Sequence, residues 1–124
     1  MNKITSYKDL IVWQKSVDFV SYTYTVTAQF PYEKKFNLVS QINRDVVSIP
    51  VNIAEGYGRE SSKNYNQFLK ISRGSLYEVD TLFIISRNLQ YITGEIYSKV
   101  SDYINELAKL LNGLIKSIYN KINN

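Results

Sequence analysis

The sequence predicts an all-α protein, an antiparallel up-down-up-down four-helix bundle whose second helix is kinked at Pro50. Apolar residues recur at spacings of three and four along nearly the whole chain, the period of an α-helix. Only two prolines interrupt 124 residues. No strand-type alternation of useful length competes, and no internal repeat or low-complexity segment appears. At this length one domain, residues 1–124, with one core is expected.

The first helix is expected over about 8–28. Ser6 serves as N-cap, with Asp9 three residues on in a capping-box pattern. Leu10, Trp13, Val17, Val20 and Tyr24 form its apolar stripe; Val12, Phe19 and Val26 make a second stripe beside it. Phe30-Pro31 ends the helix, since proline biases its predecessor away from helical dihedrals. The second helix, about 33–57, carries Leu38, Ile42, Val46, Ile49 and Ile53 on its core face. The pattern keeps its phase across Pro50, so a kink is expected there rather than a break. Gly56 and Gly58 mark its end. Ser61 or Ser62 caps the third helix, about 62–88, with a seam of Tyr65, Phe68, Leu69, Ser72, Leu76, Val79 and Phe83. Gly74, mid-helix, is expected to permit close approach of a neighbouring backbone. Thr93 caps the fourth helix, about 94–120. Its stripe is Ile96, Val100, Tyr103, Leu107, Leu110, Leu114 and Ile118, flanked by Ile104, Leu111, Ile115 and Ile122. Connections of three to six residues make consecutive helices antiparallel neighbours.

Composition excludes much chemistry. Cysteine and histidine are absent, which removes disulfides, thiol nucleophiles, Cys/His zinc sites and imidazole-dependent catalysis. Carboxylates, lysines, tyrosines and serines remain, and no convincing cluster of them is legible, so no enzyme, cofactor or metal site is expected. Glu55, Glu60, Glu78 and Asp80 lack a convergent metal-binding spacing. Gly56-Tyr57-Gly58 is no phosphate loop, because it follows a helix and lacks the Gly-Lys-Ser/Thr ending. The longest strongly apolar stretch, Leu82 to Ile85, is far short of a membrane span of ~20 residues, and no secretory signal is read at the start. A cytoplasmic location is expected.

Two groups of residues carry more than packing. On helix two, Gln41, Arg44, Ser48, Asn52 and Glu55 form a polar stripe spaced three, four, four and three. It reads either as a solvated face or as a hydrogen-bonding seam between helices or subunits, with Glu78 among the partners available on helix three. The second group is basic: Lys34, Lys35, Arg59, Lys63, Lys70, Arg73 and Arg87, interleaved with Tyr32, Tyr57 and Tyr65. Lysine and arginine neutralise phosphates and tyrosine stacks on bases, so these are the candidate nucleic-acid contacts; the plain alternative is solubilising charge. The net charge of +4 is spread without a basic block, and a ring of several copies would pool it.

Apolar residues also exceed what one bundle face per helix requires. Val12, Phe19 and Val26 on helix one, with Val39, Val47 and Val51 on helix two, predict a second buried surface and hence self-association.

The run Tyr7…Leu10…Trp13-Gln14, Phe30-Pro31-x-Glu33, Leu38-x-x-Gln41-Ile42-x-Arg44, Ser48-Ile49-Pro50-x-Asn52-Ile53-Ala54-Glu55-Gly56, Phe68-Leu69 and Gly74-Ser75-x-x-Glu78 resembles the 23S rRNA intervening-sequence protein family. The accessory variability determinants of diversity-generating retroelements look related. The resemblance implies a bacterial four-helix bundle that assembles as a homopentamer with a basic surface. It also implies RNA or DNA, and a reverse transcriptase in the retroelement case, as partners. No catalytic residue is implied. Two functions follow: an oligomeric nucleic-acid-binding accessory protein, or a scaffold that binds a protein partner and no nucleic acid.

Overall fold

The computed structural model describes residues 3–31 and 35–123, and only the backbone of Lys35 and Phe36. Glu33, expected at the start of helix two, lies outside the described residues. A single 3-10 turn, Tyr7–Asp9, precedes four helices: α1 (Ile11–Thr27), α2 (Lys35–Tyr57), α3 (Ser62–Asn88) and α4 (Gly94–Ile122). Among the described residues there is no strand, and no helix is long and apolar enough to cross a membrane.

The start of the chain corrects one expectation. The Ser6/Asp9 capping box forms, but it closes the 3-10 turn and not a helix beginning at residue 8. Leu10 is extended (φ −73°, ψ 123°), and α1 begins at Ile11 with no side-chain cap. The turn is held to α1 by the Gln14 amide, which donates to the Lys8 carbonyl at 2.8 Å, and by an edge-on contact of Tyr7 with Trp13. The other caps fall where the sequence puts them. Ser61 Oγ accepts from the Asn64 amide and Thr93 Oγ1 from the Ile96 amide, both at 3.1 Å.

Ile42, Val46, Ile49 and Ile53 of α2 are fully buried, as are Leu69, Leu76, Val79 and Phe83 of α3. Residue numbers descend along one helix as they ascend along its neighbour. Ile49 meets Ser72 and Ser48 meets Ser75 at the α2–α3 seam. At the α3–α4 seam Asn66 meets Ile115 and Asp80 meets Tyr97. Lys15 meets Glu106 and Phe19 meets Tyr103 between α1 and α4. Helix α2 continues as one element through the buried Pro50.

The two stripes of α1 exchange roles. Val12, Phe19 and Val26 are the buried residues, whereas Leu10, Trp13 and Val20 pack at the margin and Tyr24 is exposed. Ser16, Thr23 and Thr27 fill the remaining inward positions. Residues seven apart stay on one face of a helix, so the buried stripe is the strict heptad one. The residues taken as surplus on α1 are therefore its core contribution. Of the surplus on α2, Val39 is half-buried and only Val47 and Val51 are exposed. On α4 the expected flank, Ile104, Leu111 and Ile115, lies deep with Val100, Leu107 and Ile118, while Ile122 is exposed.

The glycines divide. Where α2 ends over α3, a Cβ on Gly56 would stand 2.8 Å from Phe68 Cβ and 3.1 Å from the Tyr65 carbonyl oxygen. Gly74 contradicts the expectation of close approach, because a Cβ there meets nothing within 4 Å. The close contact near Gly74 is made by its serine neighbours. Ser72 Oγ donates to the Ile49 carbonyl at 2.9 Å, and Ser75 Oγ lies 3.0 Å from Ser48 Oγ. Urea unfolding should separate the two positions. Gly56→Ala should lose about 1–3 kcal/mol through forced displacement of α3. Gly74→Ala should gain up to about 1 kcal/mol, the difference in helix propensity.

Candidate functional site

Side chains of α2 spaced four, three and four, Gln41, Asp45, Ser48 and Asn52, lie one residue before the core positions Ile42, Val46, Ile49 and Ile53. That offset turns them by about 100° from the core, toward α3. Asn52 Nδ2 donates to both the carbonyl and the hydroxyl of Ser48 at 2.8 Å, and Ser48 joins Ser75. The expected polar stripe is thus a helix–helix seam at Ser48 and Asn52. Arg44 and Glu55 do not belong to it. They are exposed, with no hydrogen bond or ion pair of theirs among the described residues, on the outward face of α2 with Val47 and Val51.

Beyond Ser48 the seam widens into a groove of about 440 Å³, walled by Gln41 and Asp45 on α2 and by Gly74, Tyr77, Glu78 and Thr81 on α3. Asp45 is half-buried, and its Oδ2 has no hydrogen-bond partner. Loss of solvent, then the hydrogen bond and negative charge of Glu78, push the Asp45 carboxyl up to about 6, against a smaller opposite pull from Arg44. Sequence reasoning missed Asp45, although the 41-45-48-52 spacing repeats that of the core stripe and was open to reading. No cation lines the groove, and no group of three or more metal-ligating side chains occurs among the described residues.

The basic candidates are not brought together as one set. Lys34 lies outside the described residues, and the side chain of Lys35 does too. Arg87 is at the end of the bundle that holds the α3–α4 turn, its guanidinium 4.7 Å over the Tyr97 ring. The Tyr97 hydroxyl donates to Asp80 at 2.7 Å. Desolvation, then that bond, raises the Tyr97 phenol above its ordinary value. Arg73 spans α3 and α4 and donates to Asn112 Oδ1 at 2.8 Å. Arg59, Lys63 and Lys70 do share one end, where α2 passes into α3 and α4 terminates. The Asn66 amide bonded to the Ile115 carbonyl at 3.1 Å ties the start of α3 to the last turns of α4. The exposed Lys116 and Lys121 of α4, absent from the sequence-derived set, thereby join this end. Among the described residues α2, α3, α4 and the turn between α2 and α3 give this end five cations, Arg59, Lys63, Lys70, Lys116 and Lys121, and two carboxylates, Glu55 and Glu60, and the 3-10 turn beside it adds Lys8 and Asp9. Arg59 is steadied 4.7 Å over the Phe68 ring.

Among the described residues, fold and surface together define an all-helical bundle with a basic end and a polar inter-helix seam. The 23S rRNA-intervening sequence protein family model matches residues 8–113, and the chain belongs to that family. Among solved structures, a protein of unknown function from the S23 ribosomal protein family of Bacteroides thetaiotaomicron is similar, with 27% sequence identity and a TM-score of 0.81. The similarity covers 86% of this chain and 99% of that one. No curated protein matches the chain.

The sign of the Asp45 shift fixes a pH dependence. Its folded value lies above the unfolded one, so the folded state holds the proton more tightly, and stability falls as pH rises from about 4 to about 6. Asp45→Asn, which removes the charge, should therefore raise the thermal midpoint at pH 7.5. Solvent screening limits the gain to about 1 kcal/mol, and the advantage over the parent should vanish by pH 4.

Proposed function

We propose that this protein is a non-enzymatic, nucleic-acid-binding accessory protein of the rRNA intervening-sequence type that works as a homo-oligomer. The observation that supports it most is the basic end. Three of the candidates read from the sequence, Arg59, Lys63 and Lys70, fall there with Lys116 and Lys121, and cations outnumber the carboxylates Glu55, Glu60 and Asp9 among the described residues of that end. Membership of a family named for inserts in ribosomal RNA is consistent with an RNA partner. The outward stripe of α2 suits assembly. Arg44, Val47, Val51 and Glu55 are spaced three, four and four, with the valines 36% and 46% exposed. Repetition of the basic end around an assembly would strengthen its field.

The alternative, a scaffold for a protein partner, draws on the same valine stripe, and binding measurements separate the two. Gel shifts with structured RNA, single strands and duplex DNA at 50 and 200 mM salt should show binding that weakens about 100-fold for single strands and about 500-fold for duplex DNA, the losses expected when about five phosphates are neutralised. Absence of binding at low salt to all three would leave the scaffold. For assembly, light scattering should report several copies, five on the family resemblance. Val47→Glu should lower that number with helical content intact; a variant assembled like the parent would remove the α2 face from the interface.

A further inference from the structure

The last turns of α4 and the first turns of α3 enclose a groove of about 320 Å³ at the basic end. Lys63, Gln67 and Lys70, spaced four and three, form one wall, and Tyr119 and Asn123 of α4 form the other. Asn66 contributes too and is only 5% exposed. Its Nδ2 is committed to the Ile115 carbonyl, which leaves Oδ1 buried without a partner. An unsatisfied buried acceptor calls for a donor. Tyr119 is 57% exposed, unusually open for so large a ring. Asn123 Nδ2 donates back to the Tyr119 carbonyl at 2.9 Å, which ties the terminal turn together beside the ring.

We propose that this groove is a subsite for single-stranded nucleic acid, in which one base stacks on Tyr119 and neighbouring phosphates meet Lys63 and Lys70. The inference rests on the nucleic-acid reading above and assigns it a place and a strand state. The lysines are seven residues apart, about 10 Å along the helix axis, so they serve successive phosphates of a strand better than one isolated anion. Gln67 lies between them and offers a donor and an acceptor to a base edge. An open aromatic ring beside lysines is the pairing by which single strands are held without sequence preference. In a duplex the bases are already stacked on one another and cannot use the ring. An acidic peptide would use the lysines and leave the ring idle.

Fluorescence anisotropy with a labelled single-stranded oligoadenylate RNA, and with a duplex RNA of similar length, tests the assignment. Tyr119→Leu should weaken single-strand binding about tenfold and leave duplex binding within twofold. The double variant Lys63→Gln/Lys70→Gln should reduce the slope of log K against log salt by about 1.4, two phosphates' worth for a single strand. Lys63, Lys70 and Tyr119 are exposed, so each variant should keep the helical circular dichroism of the parent. If the parent binds the single strand and both variants match it in affinity and slope, the groove assignment is overturned while the general reading stands. If the parent binds neither RNA, the general reading itself falls. Displacement of the RNA by polyglutamate at equal charge concentration, with Tyr119→Leu unaffected, would reassign the groove to an acidic protein.

Discussion

The contact between α2 and α3 is the constraint on which the rest of the structure depends. Four fully buried aliphatic residues of α2 face four fully buried apolar residues of α3. Their helices approach closely because Gly56 has no side chain and because Ser72 and Ser75 are small enough to reach Ile49 and Ser48 across the gap. Each serine satisfies its hydroxyl in doing so, and a buried seam can hold such groups only when they are paired. By contrast α1 places Ser16, Thr23 and Thr27 among its six inward residues, and the Thr23 hydroxyl finds no partner. Helix α1 is therefore the most lightly held of the four.

That seam also sets where charge can gather. The tight exit of α2 at Gly56 brings Arg59 over Phe68 and starts α3 within a few residues. The bond from Asn66 to Ile115 then brings the end of α4 alongside. A basic end arises from two stretches far apart in sequence, 59–70 around one short turn and 116–121 on α4. Arg73 and Arg87 are on the same helix as Lys63 and Lys70 but go elsewhere, each taken up by a partner on α4.

The helices, their caps at Ser61 and Thr93, and the core faces of α2 and α3 were legible in the sequence because spacing of three and four identifies them directly. The inward face of α1 was not, because its stripe is half polar. Trp13 and Val20 are the bulkier apolar residues, yet small hydroxyl residues go inside, where Ser16 bonds back to the Trp13 carbonyl and Thr27 to the Tyr24 carbonyl, while Thr23 stays unpaired. Gly74 misled for a related reason. A mid-helix glycine signals either close approach or open space, and only the neighbouring helix decides between them. Asp45 went unnoticed beside Arg44, since an adjacent pair of opposite charges reads as surface. The meeting of Lys63 with Tyr119 depends on how α3 and α4 align, which no local pattern encodes.

Native-state amide hydrogen exchange in low denaturant tests the central claim most directly. If the α2–α3 seam is what the bundle is built on, the amides of Ile49, Ile53, Leu69 and Leu76 should exchange only through global unfolding, while those of α1 exchange through a cheaper opening. Amides of α1 as slow as those of α2 and α3, or an opening that frees α2 and α3 while α1 stays protected, would contradict it.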